Sequence, residues 1–510
     1  MKVISLGMGQ KIFEKDSAVR QRQIEYGKFF DELHMVVFTP DDAKFQNEKI
    51  ADNVFLYPTK SKIRVFYIFD FIKIVKKILK KIGKENVVLT CQDPFETGIA
   101  GAFIKLFFDL PLHVQIHTDL AHKYFIEESF LNKVRFFMSE FTLKYSDRVR
   151  VVSERIKKSV WQFSKNIDVL PIKTEISQGS ALETKKPFPF TLIMVCRLEK
   201  EKNIKTVFDA IKNLDKNIGL CLVGDGSQKS YLENMAKNIG ISERVFWAGW
   251  QNNLSSYYKM ADSFISTSFY EGYGVSTVEA ALDGLPLLLS DTGLAEEMFK
   301  NNESALVCGA KDVDCFSKNI SKIYEDKELG LKLGQRAKSV AEEHLNSLDN
   351  YYEKYADSVV KTANSYQKKG FVARIFGFVK ISFNSVMLLR YFICGVTSAG
   401  INILSLYIFT DTFGIWYLYS SIISFFISLI ISFVLQKFVV FKDTETNEMR
   451  YQFSKFFIAA ILGVITNTLL ISLCVEILGI WYILAQLIAG FFVMIQNFVF
   501  YKFFIFNRKQ

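Results

Sequence analysis

From residue 389 onward the chain is dominated by four apolar runs, 389–410, 416–438, 453–475 and 481–503. Each can cross a bilayer as a helix, for which about 20 residues suffice. Backbone polar groups in hydrocarbon must pair within their own segment, so such runs fold as helices packed on one another. Residues 388–510 carry eight Lys/Arg and five Asp/Glu, whereas residues 1–387 carry 55 and 48, the content of an ordinary soluble region. The sequence therefore divides into a soluble and a membrane part before any motif is considered.

The membrane part is written twice. A shift of 65 residues carries Asn402 onto Asn467, Trp416-Tyr417 onto Trp481-Tyr482, Phe433 onto Phe498, Lys437 onto Lys502 and Phe441 onto Phe506, without a gap. Each unit holds two runs, so both units have one orientation and an axis along the membrane normal would relate them. Basic residues (Arg390, Lys437, Lys442, Arg450, Lys455, Lys502, Arg508, Lys509) fall before the first run, between the second and third, or after the fourth. The positive-inside rule then puts both ends of the region in the cytoplasm, with Trp416, Tyr417, Trp481 and Tyr482 in an outer aromatic belt. Upstream, residues 368–383 mix Lys and Arg with Phe, Val and Ile. They suit an amphipathic helix on the membrane surface or a plain linker equally well.

The soluble part alternates short apolar runs with helical stretches. The runs at 3–6, 35–39, 53–58, 87–91, 112–117, 148–153 and 168–172 are followed by a polar break at 177–189, then by runs at 191–197, 219–224, 244–249, 262–267, 285–290 and 305–308. This pattern predicts an α/β architecture: two Rossmann-like domains at 1–178 and 188–350, each a parallel sheet covered by helices on both faces. A return helix and basic linker over 351–387 lead to the all-α membrane domain, 388–510. Ligands of such sheets bind off the carboxyl ends of the strands, so the cleft between the two sheets is the expected site.

Net charge is +10. This suits an anionic substrate or bilayer surface and, with no basic–aromatic stripe or nucleic-acid motif, not nucleic acid. The seven cysteines stand singly, which suggests neither a zinc site nor a disulfide and fits a reduced, cytosolic setting. The apolar stretch at the N-terminus is too short for a signal peptide, so the soluble part is expected in the cytoplasm and the whole chain in the cytoplasmic membrane.

Within the second domain, Glu271 and Glu279 stand eight positions apart with Gly272 and Gly274 close to the first. The glycines allow close approach of backbone to a ligand, and the helix expected from Ser276 offers free N–H groups to an anion. Arg197 and Lys202 flank a strand-to-helix turn, where a fork and a point charge can meet one diphosphate. Gly224-Asp225-Gly226 marks a further tight turn. In the first domain, His117 ends a strand and faces the expected cleft, and Gly7-Met8-Gly9 forms a looser glycine turn. Asp312-Val313-Asp314 reads as a helix cap rather than a metal-binding pair.

Taken in order, Arg197…Lys202, Leu222–Gly226, Val245–Gly249, Glu271-Gly272-Tyr273-Gly274…Glu279-Ala280 and Gly284-Leu285-Pro286 resemble the family 4 glycosyltransferases of the GT-B class. The resemblance implies a retaining hexosyltransferase that uses a nucleoside-diphosphate sugar, with no cofactor and no metal. Arg197 and Lys202 would hold the diphosphate and Glu279 the ribose. Glu271 would lie by the donor sugar, backbone N–H groups from Gly272, Tyr273, Gly274 and Val275 would face sugar and phosphate, and His117 would contact the donor sugar or the developing charge. The membrane region, through Arg390-Tyr391-Phe392, Asn402 and Gln436–Phe441, is similar to the GtrA-like four-span proteins. It implies handling of polyprenyl-phosphate-linked sugars, with Asn402, Asn467, Lys437 and Lys502 as a candidate lipid-phosphate path. Together these imply transfer of sugar to a lipid-linked acceptor at the cytoplasmic leaflet in surface polysaccharide synthesis. The alternative is a translocator or scaffold, self-associating or joined to other polysaccharide enzymes, whose soluble part supplies the cargo.

Overall fold

The computed structural model describes residues 1–62, 67–173, 184–370, 373–374, 385–477 and 481–506. Most of 368–383, together with 478–480 and 507–510, lies outside the described residues, and with it the amphipathic reading of the linker. The chain forms two compact units, Met1–Ile375 and Phe376–Gln510.

The first unit contains two sheets. One is built from β1 (Lys2–Gly7), β2 (Glu32–Val37), β3 (Glu48–Ala51), β4 (Val54–Pro58), β5 (Val87–Cys91), β6 (Leu112–Ile116), β7 (Arg148–Val151) and β8 (Ile167–Val169), in the order β3-β4-β2-β1-β5-β6-β7-β8. Its members pair in parallel except β3, an antiparallel edge strand against β4. The other sheet is built from β9 (Phe190–Val195), β10 (Ile218–Val223), β11 (Val245–Gly249), β12 (Ser263–Ser266), β13 (Leu287–Ser290) and β14 (Leu306–Cys308), ordered β11-β10-β9-β12-β13-β14 and wholly parallel. Strands such as Val87–Cys91 and Ile218–Val223 are buried along their whole length. Burial on both faces is why they read as continuous apolar runs rather than alternating ones.

Every predicted run became a strand, usually one or two residues shorter. β3, four half-exposed residues (EKIA), was not anticipated, because a polar edge strand carries no apolar signature. The cysteine reading also needs correction: Cys308, closing β14, is bonded to Cys315 in the first turn of the helix Val313–Glu325. The chain reverses between them, so two cysteines seven positions apart meet without any C-x-x-C signal. Asp312 caps that helix by accepting from Cys315 N at 3.0 Å, as its sequence context suggests.

Helix Tyr351–Ser365 follows the second sheet in sequence but packs on the first. Tyr351, Tyr355, Ala356 and Val359 join the cluster formed by Val3, Leu33, Met35, Val54, Leu56 and Val88. The Arg150 guanidinium lies inside this junction and donates to Gln115 Oε1, to the carbonyls of Leu170 and Pro171, and to Tyr351 Oη. A buried cation is tolerable only when its donors are met, as here.

The second unit repeats itself in detail. Helices Ser385–Tyr407, Tyr417–Leu435, Met449–Ser472 and Tyr482–Phe500 end in wider π turns at Ile408–Thr412, Gln436–Val440, Leu473–Ile477 and Tyr501–Ile505. Those turns obey the same 65-residue shift. Tyr391 meets Phe498 with ring centroids 5.1 Å apart, and the exchanged pair, Phe456 and Phe433, meets at 5.5 Å. The equivalents Phe441 and Phe506 stack on each other at 5.1 Å. Exchanged contacts of this kind require a two-fold relation between the repeats. Among the described residues three stretches, Ile393–Thr412, Leu418–Val440 and Met449–Val475, are long and apolar enough to cross a membrane, and the fourth helix contains a shorter apolar stretch, Ile488–Phe500.

Candidate active site

In the second sheet the strand order reverses between β9 and β12, the point where doubly wound sheets place ligands. Arg197 and Lys202 follow β9 and the Glu271 loop follows β12, so the predicted residues converge there. Lys202 Nζ forms an ion pair with Glu271 Oε1, which also accepts from Ser268 Oγ at 2.8 Å. Arg197 is exposed and reaches back to Glu201 at 3.0 Å. Glu201 in turn presents its carbonyl to Phe269 N at 2.8 Å, which ties the two loops together.

Asn203 locks this arrangement. It adopts a left-handed conformation (φ 50°), and its Nδ2 donates to Thr267 O at 3.0 Å and Ala310 O at 2.6 Å. Thr267 Oγ1 returns a bond to Asn203 O at 3.0 Å. Neither residue was among the sequence candidates. Asn just before an apolar helical run was the available signal, since Asn tolerates that conformation better than most residues.

The glycines are used for close approach. A Cβ on Gly272 would stand 1.9 Å from the carbonyl oxygen of His117, and one on Gly224 would stand 1.9 Å from that of Cys196. Gly272 thus presses the second-domain loop directly onto the end of β6, and Ser153 Oγ, past the end of β7, donates to Gly272 O at 3.0 Å. Gly274 (φ 89°) opens the helix Val275–Leu282, whose first turn has no side-chain cap. Its N–H groups and the positive end of its dipole suit an anion.

Further contacts hold the two domains in register. Arg155 donates to Asp291 Oδ1 at 2.5 Å and to the carbonyls of Gly293 and Ala295, while Glu297 caps the helix Glu154–Val160 through the N–H groups of Glu154 and Arg155. Tyr270 Oη donates to Glu128 at 2.7 Å.

His117 occupies the wall of this cleft. Its surface is open to water, yet protein surrounds it closely enough that desolvation, helped by Arg150 and Arg22, lowers its pKa to about 3. The imidazole is therefore neutral near pH 7 and offers one N–H donor and one acceptor. Glu279 is half-buried and accepts from Tyr258 Oη at 2.9 Å; burial raises its pKa, and the tyrosine hydrogen bond partly offsets this. Tyr273 is buried, with its hydroxyl 2.7 Å from His344 Nε2. Only its backbone can therefore face a ligand. No His/Cys/Asp/Glu cluster fit for a metal occurs among the described residues.

The membrane-unit candidates are not brought together in this way. Lys437 is fully enclosed, with its ammonium 2.7 Å from both Asp443 Oδ2 and Gln452 Oε1, so it does not reach a lipid-facing surface. Asn467 accepts from Gln486 at 3.4 Å, a helix-to-helix contact, and Asn402 is half-exposed on its own helix. Lys502 takes part in contacts of its own.

Residues 173–340 match the glycosyl transferases group 1 family, and residues 390–506 match the GtrA/DPMS transmembrane domain. The chain joins a group 1 glycosyltransferase domain to a GtrA/DPMS transmembrane domain. Among curated relatives, the lipopolysaccharide core biosynthesis glycosyltransferase LpsE of Rhizobium meliloti is 27% identical over 30% of this chain and 45% of its own length. The UDP-Gal:alpha-D-GlcNAc-diphosphoundecaprenol alpha-1,3-galactosyltransferase of Escherichia coli is 23% identical over 53% of this chain and 77% of its own. This chain thus spans less than half of the Rhizobium protein and about three quarters of the E. coli one. Sucrose-phosphate synthase from Thermosynechococcus elongatus superposes on 72% of the chain and 100% of its own with a TM-score of 0.60 at 16% identity, which establishes the GT-B fold of the first unit.

Proposed function

We propose that this protein is a retaining glycosyltransferase that moves a hexose from a nucleoside-diphosphate donor to a lipid-linked acceptor. The acceptor would be a polyprenyl phosphate, a lipid-linked sugar or a glycolipid at the cytoplasmic leaflet. One observation carries the reading: Lys202, Glu271 and the uncapped helix at Gly274 converge against His117, in a chain that also holds a membrane domain. The E. coli relative, by its name, uses UDP-galactose and a sugar linked to diphosphoundecaprenol.

In this reading Arg197, Lys202 and the first-turn N–H groups take up negative charge as the diphosphate departs. Preorganised donors of this kind are worth the most in a cleft that excludes water. Neutral His117 donates to a donor-sugar hydroxyl, Glu279 holds the ribose, and the acceptor attacks the face the diphosphate leaves. Cationic side chains supply the charge that a metal would otherwise bring, so activity should survive EDTA. Four spans, with the catalytic unit and the C-terminus in the cytoplasm, complete the proposal. Tethering raises the enzyme's effective concentration at the bilayer, an advantage only for a lipid acceptor.

The test is to incubate membranes carrying the full chain with a panel of labelled nucleotide sugars and extract the lipids. Label in the lipid fraction that disappears in Glu271→Ala supports the reading. Label confined to water-soluble products overturns it.

A second reading, translocation of a lipid-linked sugar, draws on Ser424 Oγ, Gln436 Oε1 and Asn497 Oδ1, which are buried in the membrane unit and have no hydrogen-bond partner among the described residues. Replacing residues 388–510 by an unrelated four-helix anchor separates the two. Surface display that survives the exchange removes translocation.

A further inference from the structure

The helix Tyr67–Ile82 carries five lysines and one aspartate in 16 residues. Lys73, Lys76, Lys77, Lys80 and Lys81 follow the spacing i, i+3, i+4, i+7, i+8, which places them in one stripe along the helix, and Lys84 stands just past its end. All six are exposed. The opposite stripe, Phe71, Val75, Ile78 and Leu79, is buried in the first domain. Some lysines elsewhere on this unit meet carboxylates, as in Lys144–Glu140, Lys157–Glu154 and Lys361–Asp357. None of the six does so among the described residues. Lys81 and Lys84 lie instead over the rings of Phe55 and Phe108.

Like charges crowded on one face repel one another, and elsewhere such crowding is relieved by interspersed acids. Here it is left for something outside the domain to neutralise. We propose that this stripe is a docking surface for an anionic bilayer, which brings the catalytic unit onto the lipid through charge alone. The chain carries its own membrane domain, so such a surface is always within reach of the molecule. The apolar side of the helix is already used in the core, so the helix rests on the headgroups and does not insert. Attachment of this kind is reversible and sensitive to salt, because the field of a charged leaflet decays within about 8 Å at physiological ionic strength. This inference does not depend on the transfer reaction.

The test is amine-acylation footprinting of the full chain in nanodiscs, read lysine by lysine. With phosphatidylglycerol present, the six lysines should react more slowly than in phosphatidylcholine alone, and should recover in high salt. Lys237 and Lys318, exposed on other helices, should not change. Lys73→Gln with Lys77→Gln, both on the solvent side and harmless to the core, should weaken the lipid-dependent protection of the remaining four roughly 25-fold, at about fivefold per lysine. Equal reactivity in both lipids overturns the proposal. So does protection that appears only on adding RNA or an acidic protein, which would assign the stripe to another partner.

Discussion

Two lysine–carboxylate pairs mark the contrast between the units. Lys202 and Glu271 meet where two loops face a cleft, each partly open to water, and Asn203, Thr267 and Ser268 set their positions. Lys437 and Asp443 meet in a closed interior, with Gln452 satisfying both. The pairing chemistry is the same in both places. The first pair keeps solvent access and, in the proposed reaction, would exchange partners with an incoming diphosphate. The second has spent its hydrogen-bonding capacity on linking one membrane repeat to the first helix of the next. On the proposed reading, charge in the first unit is held ready for a reaction, and charge in the second is held for structure.

The contrast is tested most severely at Lys437. Lys437→Ala would leave Asp443 buried and unpaired, at a cost of about 3–5 kcal/mol. The full chain in detergent should then unfold well before the parent, whereas Lys437→Met with Asp443→Leu should recover most of the loss. If Lys437→Ala is neutral for stability yet abolishes lipid-dependent activity, Lys437 belongs to function and the contrast fails.

Lys202→Ala comes next. It should lower kcat/KM by about 100- to 1000-fold, as loss of one charge-stabilising donor does, with little change in thermal stability because Glu271 keeps Ser268 and access to water. A loss of stability as large as that of Lys437→Ala would put both pairs in one class.

Acid stability distinguishes the first sheet from the membrane unit. His113 lies fully buried between Thr90 and Ser358, and its pKa is lowered to about 3 by desolvation and by Arg150 and Arg148. The folded state thus binds fewer protons than the unfolded one between pH 3 and the unfolded value near 6.5. Stability is full above pH 6.5 and falls as pH drops toward 3, by up to about 1.4 kcal/mol per pH unit. Urea titrations of the first unit within the full chain should show such a slope, and His113→Gln should remove one histidine's share of it, with His117 contributing a similar share.

The smallest effect is expected at the asparagines. Asn467→Ala removes one interhelical bond and should cost about 0.6 kcal/mol, the usual value inside a membrane. A large loss of activity at unchanged stability would instead return Asn467 to the lipid path.

Legibility in the sequence followed the length scale of each interaction. Buried parallel strands and membrane helices announce themselves through local hydrophobic runs, so both sheets and the duplicated bundle were readable. Glu271 and Glu279 could be picked out as candidates because the glycines and helix start that present them are their neighbours in sequence, and Lys202 because it stands in the turn between an apolar strand and the next helix. The bond from Tyr273 to His344, the grip of Asn203 on Ala310 and the Cys308–Cys315 bridge were not readable. Each depends on where a distant or reversing segment happens to arrive. Lys437 shows the same limit from the other side. Its place at a helix end suggests a headgroup partner, and only the fold reveals Asp443 and Gln452 around it.

The return of helix Tyr351–Ser365 to the first sheet has a consequence in time. Tyr26 and Arg150 leave the ribosome long before Tyr351, the residue that completes their surroundings. At about 5–20 residues per second, the interval from the first strand to this helix is roughly twenty seconds to a minute. Until that helix forms, the first domain carries an open apolar flank, and Arg150 lacks Tyr351 as a partner. It closes only shortly before the first membrane run is made, so the nascent chain should depend on chaperones most strongly in the stretch just before membrane insertion begins.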